Sequence, residues 1–346
     1  EIYQCDWSSD VCSSDLSGEV KLFDHADDRK KPFANNPFVV NLQPATYARE
    51  RPEQPNIMTS LNPIRYVEPV YRPPSEAESL ILPVTDGCSW NRCTFCEMYT
   101  APHKRFRPRD EAEVFESIRR TGEIFGDRVK RVFLADGDAM TLSIRRLEPI
   151  LEAIRRELPG VRRVSSYCLP RNLQKKSVEE LKRLADLGLS LVYVGAESGD
   201  DDVLARVNKG ETLESAREAL DKLQQAGIKR SVMILNGLGG AALSRQHAEN
   251  SAALINATQP EFLATLVVSF PLGEERFRAT FPDWRALDVP ELMREMELFL
   301  SRLELTQTVF RSDHASNWLV LKGTLGRDKE RLLGQLRAAI ARSEEH

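Results

Sequence analysis

Three cysteines fall within a few residues of one another in Gly87-Cys88-Ser-Trp-Asn-Arg-Cys93-Thr-Phe-Cys96. They follow an apolar run over residues 79–85 with the character of a strand, so they sit on the loop after it. Three thiolates this close on one loop can hold one compact metal centre. They cannot fill all four positions of a cubane iron–sulfur cluster, so one iron would stay open for a further ligand. A structural zinc site is the competing reading, but zinc wants four ligands, usually as two separated pairs. Here there is one pair and an outlier, with His103 or Cys168 left to complete a tetrahedron.

The elements that must position this loop follow from the pattern around it. Short, mostly continuous apolar runs at 79–85, 131–135, 161–167, 190–195, 231–235 and 262–268 predict buried parallel strands. Amphipathic stretches between them predict helices over 111–125, 148–158, 178–187 and 213–226. Pro149 falls in the first turn of the second, and Gly188 and Gly227 suit left-handed stops after the third and fourth. Repeated βα units with right-handed crossovers predict an α/β protein with a partial (β/α)6 TIM-type barrel. The barrel is expected over 58–271. A C-terminal extension over 272–341, with helices at 289–303 and 328–340, is expected to close its open side.

Polar and glycine-rich clusters then collect at one edge. Asp136-Gly137-Asp138 follow the second strand, Ser166-Tyr167 end the third, and Gly195-Ala-Glu197-Ser198-Gly199 end the fourth. Asn236-Gly237-Leu-Gly239-Gly240 follow the fifth, and Ser269-Phe270-Pro271 the sixth. Together with the cysteine loop they mark C-terminal strand ends, where barrel enzymes build their sites. Any one cluster is ordinary turn chemistry. Their common position argues for a site.

Composition sets the frame. The apolar fraction of 41% supports a sizeable core, and a net charge of −4 gives no reason to expect a nucleic-acid partner. Neither a membrane span nor a signal peptide is visible, and clustered cysteines read as a metal site rather than a disulfide framework. A cytoplasmic protein is expected. Both ends look foreign: residues 6–16 and 342–346 match reading frames of a common sequencing adapter. Segments 1–16 and 342–346 are therefore expected to be adapter-derived, and Cys5 and Cys12 not native. Residues 17–57 are an N-terminal extension or an upstream translation ahead of Met58.

These motifs resemble the radical S-adenosylmethionine (SAM) superfamily over residues 60–341. The superfamily usually places three and then two residues between its cysteines; here Cys88-x4-Cys93-x2-Cys96 has one more in the first gap. The stretches 165–172, 208–210 and 314–317 are similar to a large, poorly characterised branch. The resemblance implies that Cys88, Cys93 and Cys96 each bind one iron of a [4Fe–4S] cluster, with Phe95 near the SAM adenine. It implies SAM contacts at Asp136, Gly137 and Asp138, at Ser166, at Gly195, Glu197 and Ser198, and at Asn236, Gly237 and Gly239.

The implied activity is reductive cleavage of SAM at the cluster to a 5′-deoxyadenosyl radical, which abstracts hydrogen from a substrate. A low-potential electron donor of flavodoxin or ferredoxin type is the implied partner. The cofactor carries the hard step, and the protein supplies position, electrostatics and a dry pocket. The alternatives are a non-catalytic iron–sulfur or zinc protein and, within the superfamily, a tRNA methylthiotransferase or a coproporphyrinogen-oxidase-like enzyme. Among the remaining residues, Cys168 is expected to be a small buried side chain and Trp90 to pack the cysteine loop. The run Lys104-Arg105-Phe-Arg107-Pro-Arg109 is expected to be a solvated face, with one arginine in reach of SAM's carboxylate. His314 and Asn317 are expected to hydrogen-bond within the extension.

Overall fold

The computed structural model describes residues 63–344. The expectations for residues 1–16, for 17–57 with Met58, and for Cys5 and Cys12 lie outside these residues. Its strands are β1 (Leu80–Pro83), β2 (Thr85–Asp86), β3 (Arg107–Pro108), β4 (Arg131–Ala135) and β5 (Arg163–Cys168). They continue with β6 (Leu189–Glu197), β7 (Lys229–Asn236), β8 (Phe262–Val267), β9 (Val309–Ser312) and β10 (Leu321–Thr324). The helices are α1 (Glu111–Phe125), α2 (Ile144–Glu157), α3 (Val178–Asp186), α4 (Asp201–Arg206) and α5 (Leu213–Gln225). After them come α6 (Gly240–Thr258), α7 (Glu275–Arg278), α8 (Val289–Arg302) and α9 (Lys329–Glu344).

Eight strands form one sheet in the order β1-β4-β5-β6-β7-β8-β9-β10. Every pair from β1 to β9 is parallel; only β10 runs antiparallel, against β9. The six predicted strands are all present. The first divides, however: Val84 separates β1 from β2, which leaves the sheet to pair with β3. The extension lengthens the sheet by β9 and β10 and lays α8 against α6 and α9.

Strand alternation divides the side chains between two cores. Leu82, Val132, Leu134, Val164, Val192 and Val194 face the helices in the main core. Ile81, Phe133, Tyr193 and Phe262 face inward, with Tyr167 packed against them. Phe133 and Tyr167 meet edge to face at 5.1 Å, and Tyr167 and Tyr193 at 6.2 Å. These rings fill the lower part of the interior.

Below them sits Glu76, fully buried. Its carboxylate accepts from Tyr193 Oη at 2.6 Å, Ser165 Oγ at 2.9 Å and Arg163 at 3.1 Å, and also from Ser79 Oγ. One buried carboxylate thus ties the entry turn to β5 and β6. Glu76→Gln, which weakens hydrogen bonds made to a charged group, is expected to cost about 1–3 kcal/mol in urea unfolding. No change in the midpoint would mean that this base is held by packing alone.

The helices obey their local signals. Asp110 caps α1 by accepting from Glu113 N, and Ser177 and Asp288 form capping boxes at α3 and α8. Gly188 and Gly227 have φ of 110° and 75°, as the left-handed stops require. The second helix starts earlier than predicted, at Ile144, so Pro149 lies inside it. Helix α6 went unpredicted. It is buried on several sides, between α5 and α8, and shows no clean polar stripe to betray its period. No helix among the described residues is long and apolar enough to cross a membrane.

Candidate active site

The cysteine loop is closed at its base and tied along its length. Strands β2 and β3 pair at Thr85–Pro108 and Asp86–Arg107, and the Asp86 carboxylate holds Arg107 at 2.8 Å and Arg109 at 2.9 Å. Outside the loop, the Trp90 indole N–H donates to Asn208 O at 2.9 Å, while the Arg171 guanidinium stacks 3.8 Å from its ring centre. On the other flank, Arg276 donates to Cys96 O at 2.7 Å and Leu272 N to the Glu97 carboxylate at 3.1 Å. Trp90 therefore packs the loop as expected, and the segment around α7 grips the loop's far end.

Cys93 is buried; Cys88 and Cys96 are partly exposed. Burial pushes the Cys93 thiol up to about 12 and raises the other two, with the Lys209 ammonium acting against it on all three. Free of iron, the thiols are protonated near neutrality, and metal loading must displace those protons. The thiolate fraction rises with pH. Anaerobic iron–sulfur assembly is therefore expected to be faster at about pH 8.5 than at about pH 7, followed by the visible absorbance of the product. Equal rates would show that thiol deprotonation does not limit loading.

Lys209 is the residue that sequence reading passed over. It is almost fully buried and lies 3.0 Å from Glu197 Oε1, with its ammonium 5.9 Å from the Phe95 ring centre. Burial alone would lower its pKa, but the Glu197 carboxylate, joined by Cys93 and Cys96 where they ionise, holds it above the ordinary lysine value. Gly195 leaves room for this pair, since a Cβ there would meet Glu197 Oε1 at 2.2 Å. Phe95 packs with Leu235, Leu238 and Phe277 in a small rim core. It thereby joins the cysteine loop to the turn after β7.

The turn after β4 sits against the start of the loop. Gly137, at φ 95°, approaches so closely that a Cβ would lie 2.0 Å from Gly87 O. Asp138 accepts from Ser89 N at 3.3 Å, from Ser89 Oγ and from Asn172 Nδ2 at 3.4 Å. Its Oδ1 is buried without a hydrogen-bond partner, and burial raises its pKa. Asp136 is fully buried with Lys104 on Oδ2 at 2.5 Å, and burial pushes its carboxyl up to about 6 against the pull of that lysine. The expected solvated face is thus half wrong. Lys104 and Arg109 are buried in ion pairs, and only Arg105 and Arg107 are exposed.

Three predicted site residues are committed elsewhere. Ser166 lies on the helix-facing side of β5, and its hydroxyl donates to Leu134 O at 3.1 Å. Ser198 is buried, with its Oγ 2.7 Å from His247 Nδ1. Asn236 turns its amide to Leu292 O at 3.1 Å. They hold the turns instead of facing the loop. Gly237 and Gly239 remain in the turn that leads into α6, with a Cβ at Gly239 facing Leu243 and His247 at 3.2 Å.

Other side chains are accounted for. His103 Nε2 bonds Glu68 O at 2.8 Å, and the buried Cys168 thiol donates to Leu169 O at 3.4 Å, so neither joins the trio. Asn317 accepts from Val267 N and donates to Thr265 O, both at 2.9 Å, fastening the extension to the end of β8. His314 Nδ1 accepts from Ser316 N at 3.1 Å, within the extension as expected.

Among the described residues, no three histidine, cysteine, aspartate or glutamate side chains gather closely enough to share one ion. A cubane asks something different: each thiolate meets its own iron. An all-sulfur donor set on one pinned loop, a buried cation beside it and an orphaned carboxylate oxygen at Asp138 fit such a cluster with an amino-acid ligand on its open iron.

Residues 82–252 match the family model described as the Radical SAM superfamily. The chain belongs to that superfamily. Radical SAM proteins are largely enzymes, and their cofactors are a [4Fe–4S] cluster and SAM. The chain is 23% identical over 172 residues to the heme chaperone HemW of Bacillus subtilis (strain 168), covering 48% of this chain and 45% of that protein. It is 22% identical over 249 residues to the tRNA-2-methylthio-N(6)-dimethylallyladenosine synthase of Chlorobium limicola, covering 68% and 52% respectively. The chain spans about half the length of these curated relatives. Among solved structures, coproporphyrinogen III oxidase (HemN) from Escherichia coli aligns at a TM-score of 0.48 and 14% identity, over 65% of this chain and 52% of that one.

Proposed function

We propose that this radical SAM protein is an enzyme that cleaves SAM reductively and uses the product to remove hydrogen from a substrate. Cys88, Cys93 and Cys96 would hold a [4Fe–4S] cluster and, being three, would leave one iron open to SAM. When bound, the two cofactors supply one-electron cleavage of the sulfonium's carbon–sulfur bond. The protein's own residues do the rest. Asp138 offers its free Oδ1 to the SAM ammonium through a charge-assisted hydrogen bond. Glu197 and Lys209 present a carboxylate and an ammonium to the ribose and methionine portions. Phe95 and the Gly237 turn border the adenine, and Asp136 with Lys104 fixes the β4 turn from behind.

The observation that carries this reading is the three-cysteine loop with no fourth ligand beside it among the described residues: His103 and Cys168 are engaged elsewhere. The test is electron paramagnetic resonance of the reduced, reconstituted protein. Added SAM is expected to change the cluster signal, because it binds iron directly. An unchanged signal would favour the second reading, an iron–sulfur protein that only carries electrons. The supporting setting is cytoplasmic, with a low-potential donor of flavodoxin or ferredoxin type. The net charge of −4 argues against a nucleic-acid substrate such as the one named for the Chlorobium relative.

A further inference from the structure

The turn after β7 is held from outside the residues that match the family model, which end at 252. The extension reaches both polar groups of the Gly237 backbone, whose C=O also accepts from Gly240 N at 3.0 Å within the turn. Its N–H donates to Glu295 Oε1 of α8 at 2.6 Å, and its C=O accepts from Trp284 Nε1 at 3.4 Å. Gly237 stands at φ 82°, and a Cβ there would meet Leu292 of α8 at 2.9 Å. Glu295 is 3% exposed, so its carboxylate has been brought out of water for this contact.

Behind the turn lies a cavity of about 10 Å³, close to what a single water molecule needs, with Asn236, His247, Thr265 and Glu295 in its wall. Two of these carry buried polar atoms with no hydrogen-bond partner, Glu295 Oε2 and Thr265 Oγ1. His247 Nε2 stands 4.0 Å from Glu295 Oε1, too far for a direct bond, while its Nδ1 is occupied by Ser198. Two unpartnered oxygens around a water-sized space, with the His247 ring in the same wall, describe a buried water site.

We infer that Glu295 is a positioning residue of the SAM site: with one ordered water shared with Thr265 and His247, it fixes the Gly237 peptide against which the nucleoside rests. The extension thereby completes the site. Through Ser198, the same network joins the turn after β6 to the turn after β7. The inference rests on the proposed SAM-binding role of the Gly237 turn.

The test uses the full chain, reconstituted with its cluster, and compares wild type with Glu295→Ala and Thr265→Val. Amide hydrogen exchange at Gly237 and SAM affinity are read together, with iron content as a control. Glu295→Ala is expected to speed exchange at Gly237 and weaken SAM binding by about tenfold or more at unchanged iron content. Thr265→Val leaves the Gly237 bond in place and is expected to give a smaller change in the same direction. Unchanged exchange and affinity in a folded Glu295→Ala protein would overturn the inference. Should that variant not fold, unchanged exchange in Thr265→Val together with a dry cavity in a high-resolution crystal structure would do so. A wild-type protein that binds no SAM would refute the SAM reading instead, and exchange at Gly237 would still decide whether Glu295 sets the turn.

Discussion

Replacing Gly137 by alanine is expected to strip the iron–sulfur cluster from a protein that still folds. The new Cβ would lie 2.0 Å from Gly87 O and 3.0 Å from Cys88 N, both backbone atoms. Neither can retreat freely, because a Cβ on Gly87 would itself sit 2.2 Å from Lys104 O, at the far side of the loop. Relief must come from moving Cys88, and a displaced thiolate no longer meets its iron. At least a tenfold loss of bound iron and sulfide, roughly 1.4 kcal/mol, is the expected result. The control is Gly227→Ala. Gly227 has φ 75° but open space at its Cβ, so it bears the left-handed penalty of about 1 kcal/mol without the clash. If both variants load equally, close approach of the β4 turn does not place the loop.

Lys209→Met is expected to have the largest effect on stability. The change removes a buried ammonium and leaves the Glu197 carboxylate, 3.0 Å away, without its counter-charge. Breaking a buried pair from one side costs about 3–5 kcal/mol. The same cation offsets the negative charge of the thiolates, so cluster loading should fall as well. The double variant Lys209→Met/Glu197→Gln separates the two roles. It removes the orphaned charge and should recover most of the urea stability while SAM binding stays weak. A single variant that loses under about 1 kcal/mol would show that water reaches the pair.

Much of this is legible in the sequence. Continuous apolar runs mark the parallel strands because both faces of such a sheet are covered, and the clusters after them mark the rim. Counter-charges were not legible. Lys104 stands in a run of basic residues that looks solvated, and its partner Asp136 is distant in sequence; only folding makes it a buried pair. Lys209 is likewise explained by Glu197 and the cysteines, not by its neighbours. Facing was the other gap. Ser166, Ser198 and Asn236 stand at strand ends, yet their side chains bond Leu134 O, His247 and Leu292 O on the side of the helices. On β6, a register shift between Gly195 and Glu197 further disturbs a simple count of alternation. The extension's strands β9 and β10 are four residues each, too short to show a period.

The most direct test of the central claim is the product of SAM itself. The full chain, reconstituted without oxygen and given SAM and dithionite, is assayed for 5′-deoxyadenosine by mass spectrometry beside a Cys88/Cys93/Cys96→Ala variant. The radical SAM reading predicts deoxyadenosine and methionine from the native protein and neither from the variant. A four-iron protein that binds SAM yet never releases deoxyadenosine, or a trio that takes up only zinc, would contradict it.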